Sequence, residues 1–244
     1  MNSSWSTPSP DSFKEGNVVH LWLLNYKKCQ EKLNEILPVL SPEEKQRGDK
    51  FYFENDKNRY IITKGTLKKI LSRMLNTETR EIAFGYNEHG KPYLESAPNL
   101  YFNVSHSGNF GLIAITPISE IGVDVERFRH KMTREDIARR FFSKKEINDY
   151  LSLDIDQRLQ GFFNCWTRKE AFIKAVGLGL SLPLNTFDVS LKPGANAEIL
   201  AIRKPHDDPE KWTMKNVLID NEYAAAFTLR AVNFETKYWR ACSL

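Results

Sequence analysis

The sequence predicts an α+β fold made of two halves of similar size, and three observations predict it. Short β-branched and aromatic runs bounded by Asn, Gly and Pro alternate with longer stretches whose apolar residues recur every three or four positions, the periods of strand and helix. The order strand, helices, strands is followed by helices and strands again. At 244 residues, with 41% apolar and 27% charged content, the chain is long enough to bury a sizeable core without metal or disulfide staples.

Taken in order, residues 1–16 are rich in Ser, Pro and charge, lack the basic-then-apolar order of a signal peptide, and read as a flexible tail. Residues 18–24 read as the first strand, followed by a linker up to Pro38. Ser41-Pro42-Glu43-Glu44 supplies an N-cap, a proline at the first helical position and a capping glutamate, which starts a short helix. Across residues 55–75, Ile61, Leu67, Ile70, Leu71, Met74 and Leu75 mark an amphipathic helix whose other face is basic. Residues 82–86, 102–105, 111–115 and 121–126 read as an antiparallel meander.

Residues 133–142 look helical, and Ser143-Lys144-Lys145-Glu146 is a second capping box opening another helix. The strongest helix covers residues 157–176, free of Pro and stopped by Gly177 and Gly179. Strand patterns return at 187–191, 212–219, 223–229 and 237–241. The organisation predicted is a tail (1–16), an N-terminal α+β subdomain (17–122) and a C-terminal one (123–244).

Composition narrows the function. Thirty-five Lys and Arg against 31 Asp and Glu leave +4, too mild for a nucleic-acid binder without a concentrated basic stripe. No apolar run approaches the roughly 20 residues of a membrane-spanning helix. Cys29, Cys165 and Cys242 form no C-x-x-C pair and support neither a disulfide framework nor a zinc ribbon, so a cytoplasmic protein is expected.

Five patches carry chemistry. In Gly122-Val123-Asp124-Val125-Glu126, strand alternation sends both carboxylates to one face; taken alone, such a pair reads as the solvated face of an edge strand. Trp166, Glu170 and Lys174 recur every four residues along one helix face, which by itself is a common Glu–Lys pairing. Asn103-Val104-Ser105-His106-Ser107 runs from a strand into a turn, and Gly90-Lys91-Pro92 is a turn that holds a lysine. Lys45, Arg47, Lys50, Lys57, Arg59, Lys64, Lys68 and Lys69 crowd the first helical region, either as a solvated face or as phosphate ligands. Carboxylates for a metal, bases for phosphates and no histidine or cysteine cluster point to magnesium and a polyphosphate.

Together and in this order, these patches, with Arg140-Phe141-Phe142-Ser143 and the stretch from Trp166 to Leu184, resemble the surfactin-synthetase-activating class of 4′-phosphopantetheinyl transferases. The resemblance implies a pseudo-dimer of two similar α/β halves, with coenzyme A as substrate in the cleft between them. It implies that Asp124, Glu126 and Glu170 bind Mg²⁺, with Mn²⁺ as an alternative, and that Glu170 and Lys174 are catalytic. Arg47, Arg59, Lys91, Ser105, His106 and, with lower weight, Lys169 match coenzyme-binding positions. Tyr60 departs from the small hydroxylated residue often found there. The implied reaction moves phosphopantetheine to a serine of an apo acyl or peptidyl carrier protein and releases adenosine 3′,5′-bisphosphate. The implied enzyme is a monomer with no nucleic-acid or membrane partner. Two rivals are a coenzyme-binding relative without turnover and an unrelated metal-dependent phosphoryl or nucleotidyl enzyme; the second has neither a Walker loop nor a Gly-x-Gly-x-x-Gly fingerprint to support it.

Overall fold

Residues 5–9, 16–132, 134–204 and 207–244 are described by a computed structural model of the chain. Strand β1 (Val18–Asn25) is buried on both faces, because its alternation sends Trp22 and Leu24 to one core and Val19 and Leu21 to another. The linker expected up to Pro38 is instead coiled, with α1 (Tyr26–Cys29) and α2 (Leu33–Ile36) in it; the Asn25 side chain caps α1 on the Lys28 amide. The predicted capping box opens α3 (Pro42–Asp49): Ser41 Oγ accepts from the Glu44 amide and the Glu44 carboxylate accepts from the Ser41 amide. Helix α4 (Glu54–Leu75) buries Ile61, Ile62, Leu67, Ile70 and Leu71 and is stopped by Asn76 in the left-handed region.

The expected meander is broken at both ends. Strands β2 (Phe84–Tyr86) and β3 (Pro92–Leu94) form a hairpin of their own, whereas β4 (Tyr101–Ser107) and β5 (Phe110–Thr116) pair antiparallel and extend the sheet of β1. Strand β6 (Ile121–Arg127) leaves this sheet for a second one. Turn residues show where strands end, but not which strand each one pairs with.

The chain then forms α5 (Arg134–Phe141), α6 (Lys144–Leu151), α7 (Arg158–Val176), β7 (Phe187–Val189), β8 (Ile199–Ile202), β9 (Thr213–Asn216) and β10 (Tyr223–Leu229). Thr133, the expected first residue of one helix, lies outside the described residues. The second sheet has the order β6-β10-β9, antiparallel throughout, and β7 pairs with β8. The last strand, β11 (Glu235–Arg240), crosses back to pair in parallel with β1, so the C-terminal residues complete the sheet of the first half in the order β11-β1-β5-β4.

Part of the tail is held by that strand. The Ser6 amide donates to the Tyr238 carbonyl, the Arg240 amide donates to the Ser6 carbonyl, and the Trp5 indole N–H donates to the Leu218 carbonyl at 3.1 Å. Of the expected flexible tail, Trp5 and Ser6 are thus held by hydrogen bonds; residues 1–4 and 10–15 lie outside the described ones.

The same crossing corrects the reading of the cysteines. Cys29 and Cys242 are 213 residues apart in sequence, yet their Cα atoms lie 5.0 Å apart and the two are joined as a disulfide, while Cys165 is free and buried. Spacing along a chain cannot reveal this, because the parallel β1–β11 pairing creates the contact. A cross-link closing so long a loop constrains the unfolded chain strongly. Thermal unfolding with and without a strong reductant should therefore differ, with Tm lower by about 5–10 °C after reduction; identical curves would show that the pair does not stay linked in solution.

Val19, Leu21, Leu112 and Ala114 from the first sheet pack against Val123, Val125, Ala225, Phe227 and Leu229 from the second, forming the layer between them. Each large side chain so buried contributes about 1.5–3 kcal/mol. Helix α7 lies directly on β6. A methyl group on Gly122 would overlap the Ala171 carbonyl and the Ala175 nitrogen, so only glycine permits this approach of helix to strand.

Candidate active site

Strand β4 presents two different faces. Phe102, Val104 and His106 line a cavity of about 560 Å³ together with Arg47, Phe51, Asp56, Arg59, Tyr60 and Lys64 from α3, α4 and the loop between them. The structure therefore brings together three residues expected to bind the coenzyme: Arg47, Arg59 and His106. The Arg59 guanidinium donates to Asp56 at 3.1 Å, and Arg47 lies over the Tyr60 ring. Tyr60 fills wall space that a small hydroxylated residue would leave open. His106 is solvent-facing at its outer edge, yet its proton affinity is lowered, first by the enclosing wall and then by the Lys174 and Arg59 cations.

The other face, carrying Ser105 and Ser107, meets the acidic strand. Ser105 Oγ donates to Asp124 Oδ1 at 2.7 Å and Ser107 Oγ donates to Glu126 Oε2 at 2.8 Å. From α7, Lys174 Nζ donates to Asp124 Oδ1 at 2.7 Å, and to Ser105 Oγ and the Val123 carbonyl at 3.2 Å each. Ser105 is buried on this side, committed to Asp124, not exposed in the large cavity.

Glu170 stands one turn before Lys174 on α7, and its proton affinity is raised to about 7. Burial is the main cause; the negative charges of Asp124 and Glu126 add to it and Lys174 opposes it. Glu126 is raised as well, by burial first and then by Asp124, with the Ser107 hydrogen bond opposing. The three carboxylates thus lie within electrostatic reach of one another.

Among the described residues no three His, Cys, Asp or Glu side chains are gathered closely enough to hold a metal ion, so Asp124, Glu126 and Glu170 do not by themselves form a ready-made ligand group. One atom nevertheless suits a cation: Asp124 Oδ2 is buried and accepts no hydrogen bond from the described residues, while Oδ1 of the same carboxylate is held by Ser105 and Lys174. An all-oxygen, anionic donor set with one buried acceptor to spare fits a hard divalent ion that takes its remaining ligands from water and phosphate.

Two expected coenzyme ligands lie elsewhere. Lys169 is fully buried; its ammonium pairs with Glu146 at 2.8 Å and donates to the Leu184 and Phe187 carbonyls at 2.6 and 2.8 Å. A neighbour in a helix is rotated by about 100°, so Lys169 points into the core of the second half when Glu170 points at β6. The Lys91 ammonium pairs with Glu120 and donates to the Ile121 and Ala175 carbonyls, tying the start of β6 to the end of α7. It is absent from the lining of the large cavity.

Replacing Lys169 with Met should leave the Glu146 carboxylate buried without a counter-charge, a loss of about 3–5 kcal/mol. Thermal denaturation should show a Tm drop of about 10 °C or more, part of it restored by pairing the change with Glu146→Gln. A Lys169→Met protein of unchanged Tm would contradict the buried pair.

Some participants were missed by sequence reasoning. Glu146 was read only as a capping residue, which it is; its second oxygen also accepts from the Val189 amide and pairs with Lys169. Ser107 and Asn103 carried a signal, their two-residue spacing from Ser105, that sends all three to one strand face. Beyond Glu126, a second and mainly apolar recess of about 230 Å³ is lined by Arg129, Met132, Ile137, Phe162, Phe163 and Trp166.

Comparison with known proteins gives the family. Residues 120–228 match the model of the 4′-phosphopantetheinyl transferase superfamily, and residues 25–118 match that of the N-terminal domain of 4′-phosphopantetheinyl transferases. The chain is 35% identical over 170 residues to the 4′-phosphopantetheinyl transferase Sfp of Bacillus subtilis, covering 70% of this chain and 75% of that protein. It is 29% identical over 242 residues to the 4′-phosphopantetheinyl transferase HetI of a Nostoc species, 98% of this chain and 99% of the relative. It is also 31% identical to the L-aminoadipate-semialdehyde dehydrogenase-phosphopantetheinyl transferase of Xenopus laevis, over 80% of this chain and 69% of that one. With two family models spanning both halves and relatives matched across most of their length, the chain belongs to the 4′-phosphopantetheinyl transferase family.

Proposed function

We infer that this enzyme transfers the 4′-phosphopantetheine group of coenzyme A to a serine of an apo acyl or peptidyl carrier protein, in the presence of Mg²⁺. The observation that carries the reading is the seam between β6 and α7. There Asp124, Glu126 and Glu170 feel one another's charge, Lys174 is hydrogen-bonded to Asp124, and one Asp124 oxygen has no hydrogen-bond partner among the described residues.

Transfer makes one bond and breaks one. The carrier serine Oγ attacks the β-phosphorus of coenzyme A, and the bridging oxygen leaves with adenosine 3′,5′-bisphosphate. A serine hydroxyl is a weak nucleophile at neutral pH; Glu170 is the carboxylate proposed to accept its proton, directly or through water, a contribution of about 10²–10⁴-fold. Lys174 offers an ammonium to the departing phosphate. Asp124, Glu126 and Glu170 would hold the Mg²⁺, whose chemistry is to neutralise charge developing on the diphosphate. Arg47, Arg59 and His106 supply the large cavity with cationic or donor groups for the nucleotide end.

His106 feels the charge of Lys174, so the cavity adjoins the seam. The joining of two α+β halves in one chain supports a monomer, and the charge balance supports a partner that is an acidic carrier and not a nucleic acid. No described helix is long and apolar enough to cross a membrane. A cytoplasmic site of action is part of this reading through its coenzyme A and carrier substrates, since the Cys29–Cys242 disulfide removes the cysteine argument for it. Incubation with coenzyme A, Mg²⁺ and a panel of apo carriers tests it: one or more carriers should gain the mass of a single phosphopantetheine. No gain on any carrier, from a chain that is folded and binds coenzyme A, would favour the binding-only relative.

A further inference from the structure

The free edge of β6 is closed by side chains in place of a strand. Its opposite edge pairs with β10, which leaves the amides of Val123, Val125 and Arg127 facing β4. The Val123 amide donates to Asn103 Oδ1 at 3.0 Å, the Val125 amide to Ser105 Oγ at 3.3 Å, and the Arg127 amide to Ser107 Oγ at 3.1 Å. The register is constant: each acceptor is 20 residues before its donor, every second residue on both strands. Buried amides such as those of Val123 and Val125 need partners, and here side chains from the first sheet supply them to the second, with the more exposed Arg127 amide continuing the series.

Both hydroxyls also act in the other direction. Having accepted from β6, Ser105 donates to Asp124 and Ser107 donates to Glu126. A hydroxyl with an accepted amide hydrogen on one side has its own hydrogen directed to the other, so each serine couples the backbone position of β6 to the orientation of one carboxylate.

We propose that Asn103, Ser105 and Ser107 form a positioning ladder that holds β6 in register against the first half and aims the Asp124 and Glu126 carboxylates at the ion and the diphosphate. Asn103 anchors the strand through the Val123 amide; Ser105 and Ser107 set the two acids. These are positioning residues, and Ser107 is the informative one, because among the described residues its hydroxyl is engaged with the Arg127 amide and Glu126 and not with Lys174. The consequence for the ion rests on the function proposed above; the ladder itself does not.

Ser107→Ala and Ser107→Thr in the full-length protein test it, with Mn²⁺ as the probe ion. Three readouts are compared: amide hydrogen exchange at Val123, Val125 and Arg127, Mn²⁺ affinity by magnetic resonance, and KM for coenzyme A. Ser107→Ala should speed exchange at Arg127 and weaken Mn²⁺ binding about 10-fold, the usual scale for a residue that orients a metal ligand, with KM for coenzyme A changed less than twofold. Ser107→Thr keeps the hydroxyl and should restore both exchange and affinity. A folded Ser107→Ala protein with unweakened Mn²⁺ affinity overturns the proposal, as does a folded Ser107→Thr protein as defective as the alanine variant. Failure of the unsubstituted chain to modify any carrier while it still binds Mn²⁺ would overturn the proposed function and leave the ladder standing. Absence of any Mn²⁺ binding by the unsubstituted chain would overturn the ion-aiming role and the metal-dependent reading together.

Discussion

Asp124→Asn is expected to lower kcat for phosphopantetheine transfer by about 10³-fold or more while the protein remains folded, on the several-kcal/mol scale of metal-assisted phosphoryl transfer. The substitution separates the two oxygens of one carboxylate. Oδ1 is engaged with the Ser105 hydroxyl and the Lys174 ammonium, and an amide oxygen can keep accepting from both. Oδ2 is the buried atom without a partner, and an amide NH₂ in its place is a donor that cannot ligate a cation. Circular dichroism and Tm should therefore change little, whereas divalent-ion affinity and turnover fall together. Near-normal turnover in folded Asp124→Asn protein would remove the carboxylate from the chemistry.

Glu170→Gln should act in opposite directions on activity and on stability. Loss of the base lowers kcat by about 10²–10⁴-fold. In the metal-free protein the same change should be stabilising, and only at higher pH. A carboxylate whose folded-state value is raised to about 7 from 4.5 holds its proton more tightly folded than unfolded, so stability falls as pH rises from about 4.5 and the loss is complete above about 7. Gln removes that penalty, about 2 kcal/mol allowing for partial exposure. Without metal, the variant should melt about 4–8 °C above the parent at pH 8 and within a degree or two of it at pH 5. An equal Tm difference at both values would mean that the seam does not raise the Glu170 carboxyl.

Much of the local structure was legible. The capping boxes at Ser41 and Ser143, the long helices ending at Leu75 and Val176, and the strand from Ile121 all follow from patterns spanning a few residues. So did the pairing of Asp124 with Glu126 on one strand face and of Glu170 with Lys174 on one helix face, from strand alternation and the four-residue helical repeat. That the two faces approach each other was implied only by the family resemblance. Residues whose partners lie far away in sequence were not legible. Lys169 follows the same chain pattern as its neighbours, yet a 100° rotation sends it to Glu146 and away from the cleft. Lys91 sits in the expected turn, but its ammonium is drawn to the Ile121 and Ala175 carbonyls.

By itself, the sequence determined the element types, the acidic face of one strand, the Glu170–Lys174 face of one helix, and the family resemblance. It could do so because hydrogen-bonding periods, caps and turn residues are local physics, and the family motifs are short and ordered. Only the tertiary structure decided that β6 leaves the first sheet, that β11 returns to β1 and brings Cys242 to Cys29, and that Asn103, Ser105 and Ser107 close the edge of β6. Those outcomes depend on which distant strands find each other, a choice made by burying two sheet faces in one shared layer and satisfying the amides left at its edge.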